Sequence, residues 1–383
     1  MIKIALIRGA FLNNFEGQNY NVKELKGCKL QVTGVGSIKT IHQNLLFKVI
    51  RLPSLSDYNV IGRCGRAIAN RTIGDIQNLF GLEKYASQFD IFHTADPHYH
   101  YSFQLAKLRK ENKIKKLVVT SWETIPHNNE TVSKKKNNKY FVIKYTDHFI
   151  CHTEKAKRCL IQEGVTENKI SVIRLGVDLQ KFQNPNSKSQ TNSKFQNSNK
   201  IQILFVGRLV KEKGIWDVYE VYKRIQNLKI KSQNITLRFV GEGSEKNKLL
   251  ERIKKDNLEN KVSVISKTYD EIPEEYRKAD IFIAPSKKTL TWEEQYGMVF
   301  IEAMATRLPI ITYDTGAIKE IVGDAGIFCK ENDISCLFRS LNLLIFHKNE
   351  RLKIGTIGKE RVRNMFDCKK TTKKLKEMYC SVM

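Results

Sequence analysis

Two basic residues, Arg208 and Lys213, lie in the segment GRLVKEKG (Gly207–Gly214), directly after the continuously apolar run Ile203–Val206. An arginine binds a phosphate bidentately, and a lysine adds a flexible point charge. A strand that runs into a glycine and then a helix also directs backbone N–H groups toward an anion. The pattern predicts a diphosphate-binding loop. Two solvated cations in a surface loop are the simpler alternative.

Two glutamates, Glu294 and Glu302, flank Gly297 in the segment EQYGMVFIE. Residues at this spacing are not neighbours on a continuous helix. We therefore predict a loop that ends near Gly297 and a helix that begins about Met298, so that both carboxylates face one ligand site. The backbone N–H groups of Gly297–Val299 would then bind an anion or a sugar hydroxyl. A carboxylate accepts hydrogen bonds from two vicinal hydroxyls, so Glu302 suits a ribose. An ordinary acidic helix start is the alternative.

Short β-branched runs alternate with longer helix-like segments along the whole chain, which predicts an α/β architecture. Several runs are continuously apolar, as in the strands of a parallel sheet that helices cover on both faces. The predicted strands are Ile2–Ile7, Lys29–Thr33, Asp90–His93, Leu117–Ser121, His148–His152, Ile170–Arg174, Ile201–Val206, Ile235–Val240, Val262–Ser266, Ala279–Ala284, Pro309–Thr312 and Gly326–Cys329.

The segment Gln183–Lys200 consists mainly of Asn, Ser, Gln and Lys, so it cannot bury apolar surface and is predicted to be a linker. It separates a predicted domain at residues 1–182 from a second at residues 201–365. Each has a normal size for a doubly wound domain. Residues 366–383 are predicted to form a basic helix that packs back on the N-terminal domain. Two such domains would face each other across a cleft, with ligands outside the carboxyl ends of the strands.

An ordered series of motifs in the second half is similar to the nucleotide-sugar-binding domain of family 4 glycosyltransferases, which have the two-domain GT-B fold. Each motif alone is weak, but the series is specific. The motifs are GRLVKEKG (Gly207–Gly214), FVGEGSEKNKL (Phe239–Leu249), EEYRKADIFIAPS (Glu274–Ser286), EQYGMVFIE (Glu294–Glu302), EAMATRLPIITYDTGAIKEIV (Glu302–Val322) and GDAGIF (Gly323–Phe328).

The resemblance implies a retaining transfer of a sugar from a UDP- or GDP-linked donor, with no cofactor and no metal. The sequence contains no clustered D-x-D metal motif, which agrees with this. By the resemblance, Arg208 and Lys213 hold the donor diphosphate, Glu294 lies by the transferred sugar and Glu302 binds the ribose. A diphosphate oxygen takes the acceptor proton. The predicted donor-binding residues are Gly207, Arg208, Lys213, Glu294, Gly297, Met298, Val299 and Glu302, of which Arg208, Lys213 and Glu294 are also the predicted catalytic residues.

The segment DHFICHTEKAKRCLIQEGVTENKISVIRLGVDLQKF, at residues 147–182, also matches the family. Family members often carry H-x-H at the position of His93, with the second histidine near the sugar, but this chain has Ala95 there. His93 is thus a further predicted catalytic residue. Asp96, His98 or His100 are the alternatives that substitute for the missing histidine, unless His93 serves alone. Solvated or structurally hydrogen-bonded histidines are the simpler alternative.

The acceptor is expected to be a glycan or a lipid-linked glycan that the first half binds. Gly9 follows the first strand and lets the backbone approach a ligand. Trp122 and Glu123 follow another strand, at TSWETIPHN, and with Asp96 complete the predicted acceptor-binding residues. Packing within the core or a loop is the alternative for Trp122.

The chain has 66 Lys+Arg against 40 Asp+Glu, a formal net charge of +26. No RNP, zinc-finger or helix-turn-helix pattern accompanies this charge, so a nucleic-acid partner is not predicted, although charge alone keeps it as an alternative. A different GT-B enzyme, such as a sugar-nucleotide epimerase, is the other alternative. The basic runs Lys107–Lys116 and Lys134–Lys136 instead favour an anionic membrane surface.

No stretch approaches the roughly 18 consecutive apolar residues that span a bilayer, and the N-terminus lacks the pattern of a signal peptide. The expected location is the cytoplasm. If the protein binds a membrane surface, the inner face of the membrane is the expected one. The eight cysteines form no C-x-x-C pair. They are therefore predicted to be reduced thiols, without disulfides or a structural zinc.

Overall fold

The computed structural model describes residues 1–22, 29–39, 45–58, 75–183, 200–228 and 234–383, with residues 65, 68, 71 and 72. The chain forms two compact units: one contains Met1–Gly176 with Cys368–Met383, and the other contains Val177–Asp367. The division lies six residues before the end of the predicted N-terminal domain. Most of the predicted linker, residues 184–199, lies outside the described residues.

The first unit contains a seven-stranded sheet with the order β3-β2-β1-β4-β5-β6-β7, in which all neighbours are parallel. The chain order reverses between β1 and β4, and this switch point is where doubly wound sheets bind ligands. The strands are β1 (Ile2–Gly9), β2 (Leu30–Ser37), β3 (Lys48–Leu52), β4 (Ile91–Ala95), β5 (Lys116–Ser121), β6 (His148–Cys151) and β7 (Ile170–Val172).

The second unit contains a six-stranded parallel sheet with the order β10-β9-β8-β11-β12-β13, so its switch point lies between β8 and β11. Two doubly wound parallel sheets confirm the predicted α/β, two-Rossmann fold. The strands are β8 (Ile201–Val206), β9 (Ile235–Val240), β10 (Val262–Ile265), β11 (Ile281–Ile283), β12 (Ile310–Tyr313) and β13 (Gly326–Cys329).

Helices follow most of the strands in both units, as parallel connections require. In the first unit they are α1 (Asn14–Gly17), α2 (His100–Lys110), α3 (Ser133–Tyr145) and α4 (Glu154–Gln162). Those of the second unit are α5 (Leu179–Phe182), α6 (Ile215–Asn227), α7 (Lys246–Lys255), α8 (Ile272–Lys278), α9 (Met298–Ala305), α10 (Ile318–Val322), α11 (Ile334–Phe346) and α12 (Lys348–Met365). The last helix, α13 (Cys368–Val382), belongs to the first unit.

The first sheet buries both of its faces, which explains why its strands are apolar without alternation. Ala5 and Ile7 of β1 lie in one hydrophobic cluster, whereas Ile4 and Leu6 lie in the cluster on the other face. The second cluster also contains Leu375, Met378 and Tyr379 of α13. The amphipathic C-terminal helix thus covers one face of the N-terminal sheet and exposes its lysines.

The structure corrects two expectations. Strand β3 was not predicted, because it is a partly exposed strand at the sheet edge, and its charged Lys48 and Arg51 interrupt the apolar run. Cys329 and Cys336 form a disulfide, so the prediction that all cysteines are reduced is wrong for this pair. Cys329 ends β13 and Cys336 lies in the first turn of α11, which brings their Cα atoms within 5.7 Å.

Among the described residues, the structure contains no helix with the length and apolar character needed to cross a bilayer.

Candidate functional site

The switch point of the second sheet brings together the loops that follow β8 and β11. Gly214, at the end of the first loop, has a φ of 72°, and a Cβ added there would lie 2.1 Å from the Pro285 carbonyl oxygen. This contact leaves room only for glycine, so the two loops pack backbone to backbone. The basic residues after β8 therefore lie beside the polar residues after β11.

Lys213 and Glu294 form an ion pair at this junction, with 2.6 Å between Nζ and Oε2. Their side chains are 16% and 10% exposed, so the pair is largely desolvated. The Ser286 hydroxyl also donates to Oε2 of Glu294, at 2.8 Å. The structure therefore brings the predicted diphosphate-binding lysine and the predicted sugar-binding glutamate into one group, and Ser286 is an addition to it.

Both predicted cations lie close to the indole ring of Trp292. Lys213 Nζ is 4.8 Å and Arg208 Cζ is 5.9 Å from the ring centroid, which is cation–π distance. Arg208 is 59% exposed, with Glu212 Oε1 at 3.7 Å from its guanidinium. The ring thus contacts two positive charges, one largely buried and one accessible. Sequence reasoning missed Trp292. An aromatic residue two positions before Glu294 was a signal, but the cations that it contacts lie in a different loop, after β8.

The backbone of Glu294 is held by the turn that follows β12. A Cβ on Gly316, whose φ is 59°, would lie 2.2 Å from the Glu294 carbonyl oxygen. The Ala317 N–H donates to that same oxygen at 2.8 Å. The loops after β8, β11 and β12 therefore converge on Glu294, as expected for strand ends in a parallel sheet.

Helix α9 begins at Met298, as predicted, and Gly297 precedes it with a φ of 79°. A Cβ on Gly297 would lie 2.5 Å from Cδ2 of Phe300, so glycine is required by both conformation and space. Within the part of the chain that the structure describes, no side chain caps α9 at Gly297. The first N–H groups of the helix, including those of Met298 and Val299, are therefore not taken up by a capping side chain.

Glu302 lies within α9 and is 3% exposed. Tyr276 donates to its Oε2 at 2.8 Å, and Tyr269 adds a second side-chain hydrogen bond. Burial raises the pKa of Glu302 to about 7, against the lowering effect of the two tyrosines and of Lys181. The two glutamates therefore have different partners, a lysine and a serine for Glu294 and two tyrosines for Glu302.

A cavity of about 380 Å³ lies in the first unit, at the switch point between β1 and β4. Residues after β1, after β4 and after β5 line it, among them Phe11, Phe15, Asp96, Tyr99, Tyr101 and Trp122. Of the predicted acceptor-binding residues, Asp96 and Trp122 line this cavity. Gly9, with a φ of 53°, lies against one wall, since a Cβ there would contact the Tyr101 ring at 3.0 Å.

Among the cavity-lining residues that the structure describes, Asp96 carries a carboxylic acid that makes no ion pair. Its φ is 49°, in the left-handed region that non-glycine residues rarely occupy. The Trp122 backbone N–H donates to Oδ1 at 2.9 Å. Burial raises the pKa of Asp96 to about 7, and Glu123 and Glu16 act in the same direction.

Arg8 and Glu16 also line the cavity, but they neutralise each other, with 2.7 Å between Arg8 Nη2 and Glu16 Oε1. The remaining Arg8 donors reach the Ile7 and His93 carbonyl oxygens, the Tyr20 hydroxyl and the Thr120 hydroxyl. The guanidinium is therefore a structural group with all of its N–H donors occupied.

His93 lies in the core and not on the cavity wall, with 0% exposure. Its Nδ1 shares a hydrogen bond of 2.6 Å with the Tyr379 hydroxyl, and its Nε2 shares one of 2.7 Å with the Thr120 hydroxyl. Burial lowers the pKa of His93 well below its ordinary value. This position replaces the expected catalytic role with a structural one, because His93 fastens α13 to β4.

Glu123 likewise acts within its own loop. Oε1 accepts the N–H groups of Thr124 and Ile125, and Oε2 accepts the side-chain amides of Asn128 and Asn129. With both oxygens doubly occupied, the carboxylate has no acceptor site left for a ligand. The structure therefore corrects the expected acceptor contact of Glu123 to a loop-ordering role.

His127, Glu130 and Glu163 have potential metal-ligating atoms within 4.8 Å of one another. Lys139 occupies this group, with its Nζ 2.9 Å from Glu130 and 2.6 Å from Glu163. Because an ammonium already supplies the positive charge, the group is a partly buried ion-pair network and does not favour a metal.

The predicted basic runs are partly neutralised. Arg109 pairs with Asp147 at 2.8 Å, and Lys115 pairs with Asp90 at 2.6 Å. Lys135 turns inward and donates to Asn129 Oδ1 at 3.0 Å. The two runs therefore present fewer free charges than the sequence alone indicates.

Two family models match the chain in adjacent segments. The model described as Glycosyl transferases group 1 matches residues 186–361, and that of Glycosyltransferase Family 4 matches residues 51–181. The first segment contains Arg208, Lys213, Glu294 and Glu302. The second contains the cavity-lining residues Asp96 and Trp122.

Several proteins with a similar sequence are named as glycosyltransferases. The chain is 30% identical over 260 residues to the capsular polysaccharide biosynthesis glycosyltransferase CapM of Staphylococcus aureus, covering 64% of this chain and 66% of the relative. It is 30% identical over 227 residues to an uncharacterized glycosyltransferase of Haemophilus influenzae, covering 58% of each chain. The matched region thus spans less than two thirds of the length of these curated relatives.

Two solved structures share the fold over the whole chain. The Anabaena protein HepE, in complex with UDP and glucose, has a TM-score of 0.74 at 16% identity and covers 100% of both chains. Sucrose-phosphate synthase of Thermosynechococcus elongatus has a TM-score of 0.75 at 16% identity and covers 100% of this chain and 99% of the other. At this identity the likeness concerns the fold alone.

Proposed function

The chain belongs to the group 1, family 4 glycosyltransferases, and on that premise we propose that it transfers a sugar from a nucleotide-sugar donor to a glycan or lipid-linked acceptor. The observation that carries this proposal is the group formed by Arg208, Lys213 and Glu294 around Trp292. A diphosphate needs adjacent cations, and the transferred sugar needs a polar acceptor beside them. The group supplies both at the switch point of the second sheet.

The proposed mechanism is electrostatic. Arg208 and Lys213 bind the diphosphate and stabilise the negative charge that develops as the nucleoside diphosphate leaves. The N–H groups at the start of α9 act on the same charge. Glu294, oriented by Ser286 and Lys213, lies by the sugar and favours positive charge at the anomeric carbon. By the family relationship, a diphosphate oxygen takes the acceptor proton, transfer proceeds with retention and no metal is required.

Glu302 is the proposed ribose-binding residue. Its carboxylate has about four acceptor sites, and the tyrosine hydrogen bonds from Tyr276 and Tyr269 occupy only some of them. These bonds fix the orientation of the carboxylate before the donor arrives. A preorganised acceptor of this kind improves donor affinity, because less ordering remains to be done on binding.

The acceptor is proposed to bind in the cavity of the first unit, beside Asp96 and Trp122. The exposed Lys107 of α2 and Lys134 of α3 form the proposed contact with an anionic membrane surface. A lipid-linked acceptor would be presented at such a surface. UDP is the first nucleotide to test, since HepE was solved with UDP and glucose.

Calorimetric titration of UDP, GDP and ADP tests the donor site. Arg208→Ala and Lys213→Met should each weaken nucleotide binding, because each removes one cation from the diphosphate. Lys211→Met is the matched control, since it removes the same charge from an exposed position two residues away. The proposal is contradicted if no nucleotide binds, or if Lys211→Met weakens binding as much as Lys213→Met does.

A further inference from the structure

Arg307 follows the end of α9 in a backbone conformation that arginine rarely adopts, with a φ of 64°. The other non-glycine residues with a positive φ in the described part of the chain are all Asn, Asp or His, which tolerate this region best. The Arg307 N–H donates to the Met304 carbonyl oxygen, and the Leu308 N–H donates to that of Ala303. This is a Schellman motif, in which glycine usually occupies the position of Arg307. An arginine here is strained, and such strain persists mostly at functional positions.

The Arg307 guanidinium contacts α12 and does not cap α9. Its Nε and Nη2 donate to the Thr356 hydroxyl oxygen, at 3.1 and 2.8 Å. At the end of α9 the Thr306 hydroxyl donates to the Ala303 carbonyl oxygen at 2.9 Å. The other N–H groups of the guanidinium have no hydrogen-bond partner among the described residues. Arg307 is therefore held in place while part of its charged group stays available.

The packing of α12 against this turn places two more cations beside the guanidinium. A Cβ on Gly355 of α12 would lie 2.3 Å from the Arg307 carbonyl oxygen, so the turn lies directly on the helix backbone. Thr356, Lys359 and Arg363 follow one another at spacings of three and four residues, which puts them on one face of α12. Helix side chains lean toward the N-terminus. Lys359 and Arg363 therefore lean toward the guanidinium that is bound at Thr356.

Lys359 is half-buried and has no carboxylate partner. Its ammonium makes no hydrogen bond or ion pair with the residues that the structure describes, and burial lowers its pKa. Arg363 and Arg307 act in the same direction, which shows that the three charges repel one another. The adjacent Glu360 is exposed and is not among the charges that act on Lys359. Like charges held together at a partly desolvated position are costly, and an anion that they share would remove the cost.

We propose that Arg307 and Lys359, with the charge of Arg363, bind a phosphate group, either of a soluble phosphate or of a lipid headgroup. A phosphate has several acceptor oxygens, which match the available guanidinium N–H groups and the three donors of the ammonium. The site lies at the amino edge of the second sheet, since β12 begins three residues after Arg307. The donor group lies at the carboxyl edge, and α9, with eight residues and a length of about 12 Å, separates the two. The phosphate site is thus distinct from the proposed diphosphate site.

Calorimetric titration of the full chain with inorganic phosphate, at constant ionic strength, tests the site. Arg307→Gly and Lys359→Met should each weaken phosphate binding about tenfold, because each removes one charged donor. Arg307→Gly should keep the fold, since glycine is the usual residue at this position. Lys353→Met is the matched control: it removes the same charge from an exposed position on α12 and should leave binding unchanged. Equal losses in Lys353→Met and Lys359→Met would contradict the proposal.

Two comparisons separate this site from other sources of phosphate binding. Arg208→Ala removes the accessible cation of the donor group and should retain phosphate binding; binding that is lost in Arg208→Ala but kept in Arg307→Gly overturns the proposal. Co-sedimentation with phosphatidylglycerol vesicles, against phosphatidylcholine vesicles, tests the lipid source. A loss in Arg307→Gly that is confined to the vesicles indicates a headgroup, and a loss confined to calorimetry indicates a soluble phosphate. If Arg307→Gly equals the wild type in both assays, the proposal is overturned.

Thermal melting in phosphate-free buffer separates a binding role of Lys359 from a structural one. Lys359→Met keeps most of the aliphatic stem and removes a charge that its two neighbours repel, so it should melt at an equal or higher temperature than the wild type. If the calorimetric arm shows a soluble phosphate, adding phosphate should then raise the melting temperature of the wild type more than that of Lys359→Met. A lower melting temperature of Lys359→Met without phosphate would assign the lysine a structural role and contradict the proposal.

Discussion

The ion pair between Lys213 and Glu294 predicts opposite outcomes for stability and for catalysis. Lys213→Met keeps the aliphatic stem and removes the ammonium. Glu294, 10% exposed, then keeps the Ser286 hydroxyl as its one side-chain partner among the described residues. Breaking a buried pair costs about 3–5 kcal/mol. Because both side chains retain some solvent contact, we expect about 2–3 kcal/mol, including the lost contact with Trp292.

The double variant Lys213→Met/Glu294→Gln should recover most of that stability, because both charges are removed together. Its turnover should not recover. Removing one preorganised contact to the developing charge costs about 2.7–4 kcal/mol, or roughly 10²–10³ in rate. Glu294→Gln alone should lower turnover more than donor affinity, since its charge matters most as the anomeric carbon becomes cationic.

Thermal melting and single-turnover transfer, measured on the wild type, both single variants and the double variant, test this reasoning. For a unit of this size, a loss of 1 kcal/mol in unfolding free energy lowers the melting temperature by about 2–4 °C. If Lys213→Met loses no stability, or the double variant gains none back, the ion pair does not contribute as we argue. If turnover returns together with stability, Lys213 acts only as a structural partner of Glu294.

Three further predictions concern other parts of the molecule. The pKa of Glu302 is about 7 in the folded state against an ordinary value of 4.5, so its contribution to the free energy of unfolding is largest below pH 4.5 and falls by about 3 kcal/mol as the pH rises to 7. Denaturation across this pH range should show that Glu302→Gln removes the decline, whereas the exposed control Glu251→Gln does not. Gly297→Ala should lower the free energy of unfolding by about 1–3 kcal/mol and weaken donor binding. Gly164→Ala is the control for the backbone cost alone, because Gly164 also has a positive φ but a Cβ there would have nothing within 4 Å. Equal losses in melting temperature for the two variants would refute the role of crowding by Phe300. Co-sedimentation should show binding to anionic but not neutral vesicles, released by about 0.5 M salt, and equal binding to both would refute the membrane contact.

The sheets and the donor loop could be predicted from the sequence because their signals are local. Runs rich in apolar and β-branched residues predicted the bounds of β8, β9 and β13 without error, and Gly297 marked the start of α9 at Met298. Edge strand β3 lacked that signal, since two of its five residues are exposed.

The partners of the site residues could not be predicted, because they come from separate loops. Ser286 and Gly316 reach Glu294 only after β11 and β12 pair in the sheet. His93 has the residue type and the strand-end position of a catalytic group. Its burial depends on Tyr379, which lies 286 residues away in α13. Residue type and spacing identify candidates, and tertiary contacts decide which of them are accessible.

Conversion of a nucleotide sugar by the full chain tests the central claim most directly. The measurement incubates the chain with UDP- and GDP-linked sugars in the presence of a chelator and quantifies the released nucleoside diphosphate by mass spectrometry. We expect at least one donor to be converted by the wild type and by Lys211→Met at similar rates, and about 10²–10³ more slowly by Lys213→Met. Conversion of no donor by any of the three proteins, or equal rates for wild type and Lys213→Met, would contradict the account.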